Sequence, residues 1–404
     1  MADLPRIALW FRYGPAEHTE LFHAMPEIVE ALAQHAEVHY FGMTSDTPVP
    51  ETIRRNAIIH TVVGKVDRTH NQDKHWKTLR WLIALPKVAR TCRDLGVKAV
   101  YIDETIPLTA SIALRYFGPN VAITVADFFV DIYLMPHRLL RPLARWIRRK
   151  DLEAWGKLPL IFTRAKATRA YLASQGIPAD HIRPVYDPCD HEVFHPLDKA
   201  ACKKAFGYGE DDVVLVHHGI LHPNKGNDRI LSALARNRER LPHLRYLLVG
   251  DGPDMPRLKE MVRELALESI VQLTGWLPGR ADVNRALNAG DIGLVMRVGH
   301  QSDDFHMTGA LVHSMACGLP ILAARLGGVS EVVHDDRNGF LFDPVCTDEF
   351  DRRLIELAED AALRTRLGSA AHADSLVHFS MEAVTSQTVE PLLALAGLSQ
   401  ENAS

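Results

Sequence analysis

Short runs of β-branched and aliphatic residues recur along this chain, each followed by a stretch with helical spacing, and the pattern starts afresh near the middle. Such alternation predicts parallel strands joined by crossover helices, which excludes a helix bundle and an all-β sandwich. Residues 6–11, 38–41, 99–102, 121–125 and 160–163 read as strands of a first set. Residues 21–33 and 74–95 carry helix spacing within it. A turn-rich segment, 184–196, then precedes a second set of strands at 213–217, 246–249, 271–274, 292–295 and 321–324. At 404 residues the chain is too long for one ordinary domain. The expectation is two Rossmann-like, doubly wound α/β domains. The first spans 1–190 and the second 191–379.

A hydrophobic share of 47% and a charged share of 24% describe a soluble globular chain and exclude collagen, disorder and a disulfide scaffold. The N-terminal residues show no targeting segment, and no apolar run approaches the roughly 20 residues that span a bilayer. The five cysteines are scattered and odd in number, so a cytoplasmic location is expected. None of the 21 histidines sits in a metal-ligand spacing, and no metal is expected. His217-His218 falls in an apolar strand pattern and reads as structural.

Charge is unevenly spread. Residues 1–190 carry 25 basic and 20 acidic groups, the remainder 21 and 30, and residues 51–150 alone carry 18 and 8. Six Arg or Lys fall within 137–150, interleaved with Leu139, Leu140, Leu143, Trp146 and Ile147 at steps that line one helical face. Two readings follow for residues 138–150. One is a helix seated at an anionic membrane surface, peripheral to the inner face. The other is an ordinary domain helix whose apolar face packs on the sheet. No aromatic platform or zinc spacing accompanies the charge, so nucleic acid is not an expected partner.

In the second half, glycines stand where strands give way to helices: Gly219, Lys225-Gly226, Gly250-Asp251-Gly252 and Gly327-Gly328. Backbone N–H groups at such turns suit a phosphate, and a lysine beside one adds a point charge. A dinucleotide fingerprint is not completed, because Met255 occupies the place of its third glycine.

The order of these elements carries a resemblance. His218-Gly219-Ile220, Asn224-Lys225-Gly226, Leu248-Val249-Gly250-Asp251-Gly252-Pro253 and Leu273-Thr274-Gly275 come in turn. Ala289-Gly290-Asp291, His313-Ser314-Met315-Ala316-Cys317-Gly318-Leu319-Pro320, Gly327-Gly328-Val329-Ser330-Glu331 and Asn338-Gly339-Phe340-Leu341 follow. Together they resemble the nucleotide-sugar half of the retaining GT-B glycosyltransferases of the GT4 type, also called glycosyltransferase group 1. The segment Asp187-Pro188-Cys189-Asp190 with Phe194 and Pro196 looks like that family's interdomain signature. The likeness covers residues 185–345, while the first domain matches in architecture only.

The resemblance implies a GT-B fold, with two doubly wound domains facing across a cleft and a C-terminal helix at about 380–398 that crosses back to complete the first domain. It implies transfer of a hexose or N-acetylhexosamine from a nucleotide diphosphate sugar to an acceptor hydroxyl with retention, in bacterial glycan, glycolipid or glycoside synthesis. The acceptor would be a glycan, a lipid-linked or a small molecule, and no cofactor beyond the sugar nucleotide is implied. Donor contacts fall on Gly14, Gly219, Lys225, Gly250, Gly275, Trp276, Asp304, Met307, Thr308, Gly309, His313, Gly328 and Glu331, and chemistry on Asp127, Lys225 and His306. Asp127 follows a first-domain strand and is either the polar group nearest the reacting centre or a helix N-cap. Gly14 stands where the family has a glycine pair.

Several positions depart from the family. Its Glu-x7-Glu pair is replaced by Phe305 and His313, and the arginine after the first glycine by Ile220. An imidazole still hydrogen-bonds a ribose hydroxyl, whereas Phe305 cannot hold a sugar, which leaves Asp303 or Asp304 as its substitute or as a solvated loop. His306 is the substitute expected for the missing cation. The rival readings are a GT-B nucleotide-sugar epimerase or hydrolase, and a degenerate, non-catalytic binding or scaffold subunit.

Overall fold

The computed structural model describes residues 4–12, 14–15, 24–43, 48–63, 74–103, 106–126, 128–298, 304–305 and 307–398. The chain divides into two compact units, Met1–Tyr186 with Met381–Ser404, and Asp187–Ser380.

The first unit holds strands β1 (Arg6–Trp10), β2 (Glu37–Met43), β3 (Ala57–Val63), β4 (Val97–Ile102), β5 (Val121–Val125), β6 (Leu160–Thr163) and β7 (Ile182–Pro184). They form one parallel sheet in the order β3-β2-β1-β4-β5-β6-β7. In register, Ile7 lies beside Val38 on one side and Ala99 on the other. All five residues of β5 are buried, as expected of a strand covered on both faces, where the apolar run is continuous rather than alternating. The strand order reverses between β1 and β4, so the crevice of this unit opens beyond their C-terminal ends. β3 and β7 lie beyond the five strands that the sequence pattern picks out.

The expectation of five apolar positions on one face of the basic segment needs correction. Residues Arg138–Leu140 form a 3₁₀ turn, and the α-helix runs Arg141–Trp155. Ala144, Ile147, Asp151, Ala154 and Trp155 are buried on its inner face. Leu139, Leu140, Leu143 and Trp146 are exposed. The hundred-degree step per residue places Ile147 inward and Trp146 outward, which a list of apolar spacings does not separate.

The second unit holds β8 (Val213–His218), β9 (Leu244–Val249), β10 (Val271–Leu273), β11 (Ile292–Val295), β12 (Ile321–Ala324) and β13 (Gly339–Phe342). Their order is β10-β9-β8-β11-β12-β13, again parallel throughout. Here the reversal lies between β8 and β11. Their pairing is fixed in part by Asp291, whose Oδ2 accepts the Val214 N–H at 2.9 Å and meets Lys203 Nζ at 2.8 Å. That carboxylate is enclosed and closely paired, and it ties β11 to β8 and to the helix Lys199–Ala205. Among the described residues no helix is long and apolar enough to cross a membrane.

Candidate active site

In an open parallel sheet the ligand crevice lies where the strand order reverses, at the C-terminal ends. For the second unit this is the end of β8, running His217-His218-Gly219-Ile220, beside the end of β11, running Val295-Met296-Arg297-Val298.

The turn after β8 is built around glycine. Gly219 has φ 126°, and a Cβ there would meet nothing within 4 Å, so the backbone faces open space. Its own N–H is held by Val249 O at 2.9 Å, so Gly219 contributes access rather than a donor. Gly250, with φ 129°, is glycine for another reason: a Cβ would lie 2.1 Å from Gly219 O. The two turns therefore pack backbone to backbone, and Gly250 N–H reaches Gly275 O at 3.0 Å. Beside Gly275 stands Trp276, 61% exposed and thus a ring available for stacking.

Lys225 ends the 3₁₀ turn Pro223–Lys225, and Gly226 in the left-handed region opens the helix Asn227–Asn237. The lysine is only 9% exposed. Its charge is felt by both strand-end histidines. Burial first, then Lys225, lowers His217 to about 3 and His218 to about 4. Both imidazoles are therefore neutral at pH 7 and leave the positive charge to Lys225. His217 Nδ1–H donates to Leu294 O at 2.9 Å, which binds β8 to β11 through a side chain as well as the ladder.

A further cation bears on the same place. Arg297 follows β11 and also pushes His217 down, and the Val298 N–H donates to Asn224 O at 2.7 Å. That bond holds the end of β11 against the turn carrying Lys225. Sequence reading missed Arg297, because only the β8–β11 pairing brings residues 224 and 298 together. Ile220, at the family's arginine position, is 54% exposed.

The helix Gly309–Ala316 completes this edge. Thr308 is its N-cap, accepting the Leu311 N–H through Oγ1 at 3.4 Å, and Met307 and Thr308 are buried. The first-turn amides of such a helix point outward with the positive end of its dipole. His313 lies on the inner side and is wholly buried. Its ring stacks on Phe194 at 3.9 Å and on His218 at 5.2 Å between centroids. The residue replacing a glutamate of the family is thus the middle of a ring stack.

Asp304 is engaged within the protein. Its Oδ1 accepts the Gly327 N–H at 2.9 Å and its carbonyl the Gly328 N–H at 3.0 Å. It anchors the glycine pair, and Gly328 has its amide occupied. Glu331 ends the 3₁₀ turn that follows. Asp127, Asp303 and His306 lie outside the described residues.

In the first unit, Gly14 has φ 86°, and a Cβ there would meet Met43 O at 2.0 Å, so packing against β2 already requires glycine. At the end of β4 the sequence reading missed a polar group. Asp103 accepts from Tyr101 Oη at 2.8 Å and lies 3.5 Å from Arg164, and Tyr101 Oη also meets Thr124 Oγ1 at 2.7 Å. Asp103 stands at this sheet's reversal point, where polar groups reach a ligand crevice.

Comparison with known proteins places these features. Residues 212–360 match the family described as glycosyl transferases group 1. D-inositol 3-phosphate glycosyltransferase of Kribbella flavida is 34% identical over 193 residues, covering 45% of this chain and 44% of the relative. The chain thus aligns with about half the length of that relative. N-acetyl-alpha-D-glucosaminyl L-malate synthase of Bacillus anthracis is 27% identical over 368 residues, covering 89% and 90% of the two chains. Among solved structures, Anabaena Alr3699/HepE, crystallised in complex with UDP, superposes with a TM-score of 0.72 at 18% identity. That match covers 97% of this chain and all of the Anabaena chain. The fold is GT-B.

Proposed function

We propose that this chain, which has the GT-B fold and whose residues 212–360 belong with the group 1 glycosyl transferases, is a retaining glycosyltransferase. It moves a hexose or N-acetylhexosamine from a nucleotide diphosphate sugar to an acceptor hydroxyl. The observation that carries the reading is Lys225, an almost enclosed cation beside the open Gly219 turn at the sheet's reversal point. The UDP in the Anabaena structure and the names of the curated relatives support a sugar nucleotide as donor and a hydroxyl compound as acceptor.

On this reading, Lys225 and the first-turn amides at Gly309 stabilise the charge that grows on the departing diphosphate. Arg297 takes the place of the arginine that Ile220 lacks. Trp276 offers its face to the nucleobase. The leaving phosphate oxygen accepts the acceptor's proton on the same face of the sugar, so the anomeric configuration is kept and no metal or further cofactor is needed. The first unit holds the acceptor, a glycan, a lipid-linked or a small molecule. The chain works in the cytoplasm, which five cysteines without a disulfide support.

The test is incubation with UDP-, GDP- and ADP-sugars and mixed hydroxyl acceptors, with NMR of the anomeric proton of any product. Turnover of at least one donor with retained configuration is expected. Binding and turnover of none would leave the scaffold reading in its place.

A further inference from the structure

We propose that the outward face of the helix Arg141–Trp155, together with the 3₁₀ turn before it, is a docking surface for an anionic lipid bilayer. The helix has already met its packing needs, since Ala144, Ile147, Ala154 and Trp155 fill its inner face. A helix seated in this way ordinarily shows polar side chains to solvent. This one shows Leu139, 95% exposed, with Leu143 at 50% and Trp146 at 45%. Such a ridge has no packing role within its own unit, and leaving it in water is costly.

The charge around the ridge specifies the partner. Residues 132–150 contain six Arg or Lys and no acidic side chain. Arg149 and Lys150 share Glu153, and Arg148 pairs with Asp131 at 3.1 Å. Arg138, Arg141 and Arg145 have no carboxylate partner among the described residues. Alongside runs an open groove of about 550 Å³, lined by Met135, Arg145, Arg148, Arg149 and Leu152 and by one carboxylate, Glu153. Arg148 and Arg149 already pair with Asp131 and Glu153 there, so Arg145 at the groove, with Arg138 and Arg141 before it, is left to meet a phosphate-bearing headgroup, which Arg binds through paired donors.

The apolar and charged features together select a bilayer. Arginines alone would serve a nucleic acid or an acidic protein, and Leu139, Leu143 and Trp146 would then remain in water. At a membrane the leucines enter the acyl boundary and Trp146 sits at headgroup level, with the arginines on anionic phosphates. One short helix of this kind gives reversible attachment. None of these residues belongs to the donor site, so the inference stands or falls apart from the proposed reaction.

The full chain is sedimented with phosphatidylcholine vesicles containing about 30 mol% phosphatidylglycerol, and with pure phosphatidylcholine vesicles, at about 0.1 M salt. Pelleting with the anionic vesicles alone is expected, weakening as salt rises. Arg141→Glu with Arg145→Glu should lower partitioning on the order of thirtyfold, since each basic residue near the surface contributes about fivefold. Leu139→Ser with Leu143→Ser should weaken it while leaving its salt dependence intact. All four positions are exposed, and an unchanged thermal midpoint confirms folding. Absence of pelleting, equal pelleting on neutral vesicles, or unchanged pelleting by both variants overturns the proposal. So does retention on RNA or a polyacidic protein without vesicle binding.

Discussion

Lys225 is only 9% exposed, so its charge acts on its neighbours in a largely enclosed setting. At Lys225 two imidazoles pushed far below the ordinary histidine range yield in its place, and Arg297 adds to the local positive potential. The arrangement prepares the second unit for an anion without any help from its bulk charge, which is acidic. Lys225→Met, which keeps most of the volume and removes the charge, should lower kcat/KM by about 10²–10³. It should also raise the pKa of His217 and His218, since Lys225 is the second cause of their depression. NMR titration reads that shift independently of turnover. Arg297→Gln should raise the donor KM about tenfold and Arg297→Lys should recover part of the loss, as one charge-assisted contact to phosphate is removed or partly restored. Unchanged donor KM in Arg297→Gln would remove it from the site.

At the scale of single elements, β8 shows what the sequence makes legible and what it does not. Val213-Val214-Leu215-Val216 is a β-branched run ending at a glycine, and that much marks a buried parallel strand and its turn. The function of the two histidines that end it is not local. His217 is explained by Leu294 O on β11, and His218 by the ring of His313 in the helix Gly309–Ala316. Phe194 and Asp304 likewise take their roles from His313 and from Gly327, and Arg297 from the pairing of β11 with β8, so no spacing rule finds them. The strands left unread have a different cause. β3 follows directly on the helix Glu51–Asn56 with no turn residue between, and β7 is three residues long and ends in Pro184. The order of Gly219, Lys225 and Gly250 along the strand-to-helix turns is visible in the sequence, whereas the close packing of Gly250 on Gly219 O is not. The same strand yields a pH prediction. His217 and His218 stay neutral when folded but take up a proton near 6.5 when unfolded, so the unfolded state binds more protons below that pH. Stability is full above 6.5 and falls as the pH drops toward 4, by roughly 2 kcal/mol for each imidazole between pH 6.5 and 5. Urea unfolding at the two pH values should show that loss, and His218→Gln should reduce it by about half. An equal loss in the variant would assign the acid sensitivity to other groups.

At the scale of the whole molecule, the chain leaves the first unit after Tyr186, builds the second, and returns to the first at Met381. The helix Met381–Leu395 places Val384, Val389, Leu392 and Leu393 in the core that also contains Ile7, Leu9, Ile28 and Val29 from the other end of the sequence. The first unit therefore cannot complete its core until the last helix is synthesised. The second is a continuous segment, Asp187–Ser380, with its own sheet. This connectivity predicts where damage at the C-terminus is felt. Leu392 is 1% exposed, and Leu392→Ala should cost about 2–5 kcal/mol, the range for removing a buried leucine side chain. The loss belongs to the first unit although residue 392 follows the second in sequence. Hydrogen exchange should show faster amide exchange in β1, β2 and the helix Met25–Ala33, with β8, β9 and β11 unchanged. UDP affinity, a property of the second unit on the proposed reading, should be retained at temperatures where the first unit of the variant has begun to open. Equal loss of protection in both units would mean that the chain unfolds as one cooperative body, and that the returning helix stabilises more than the core it enters.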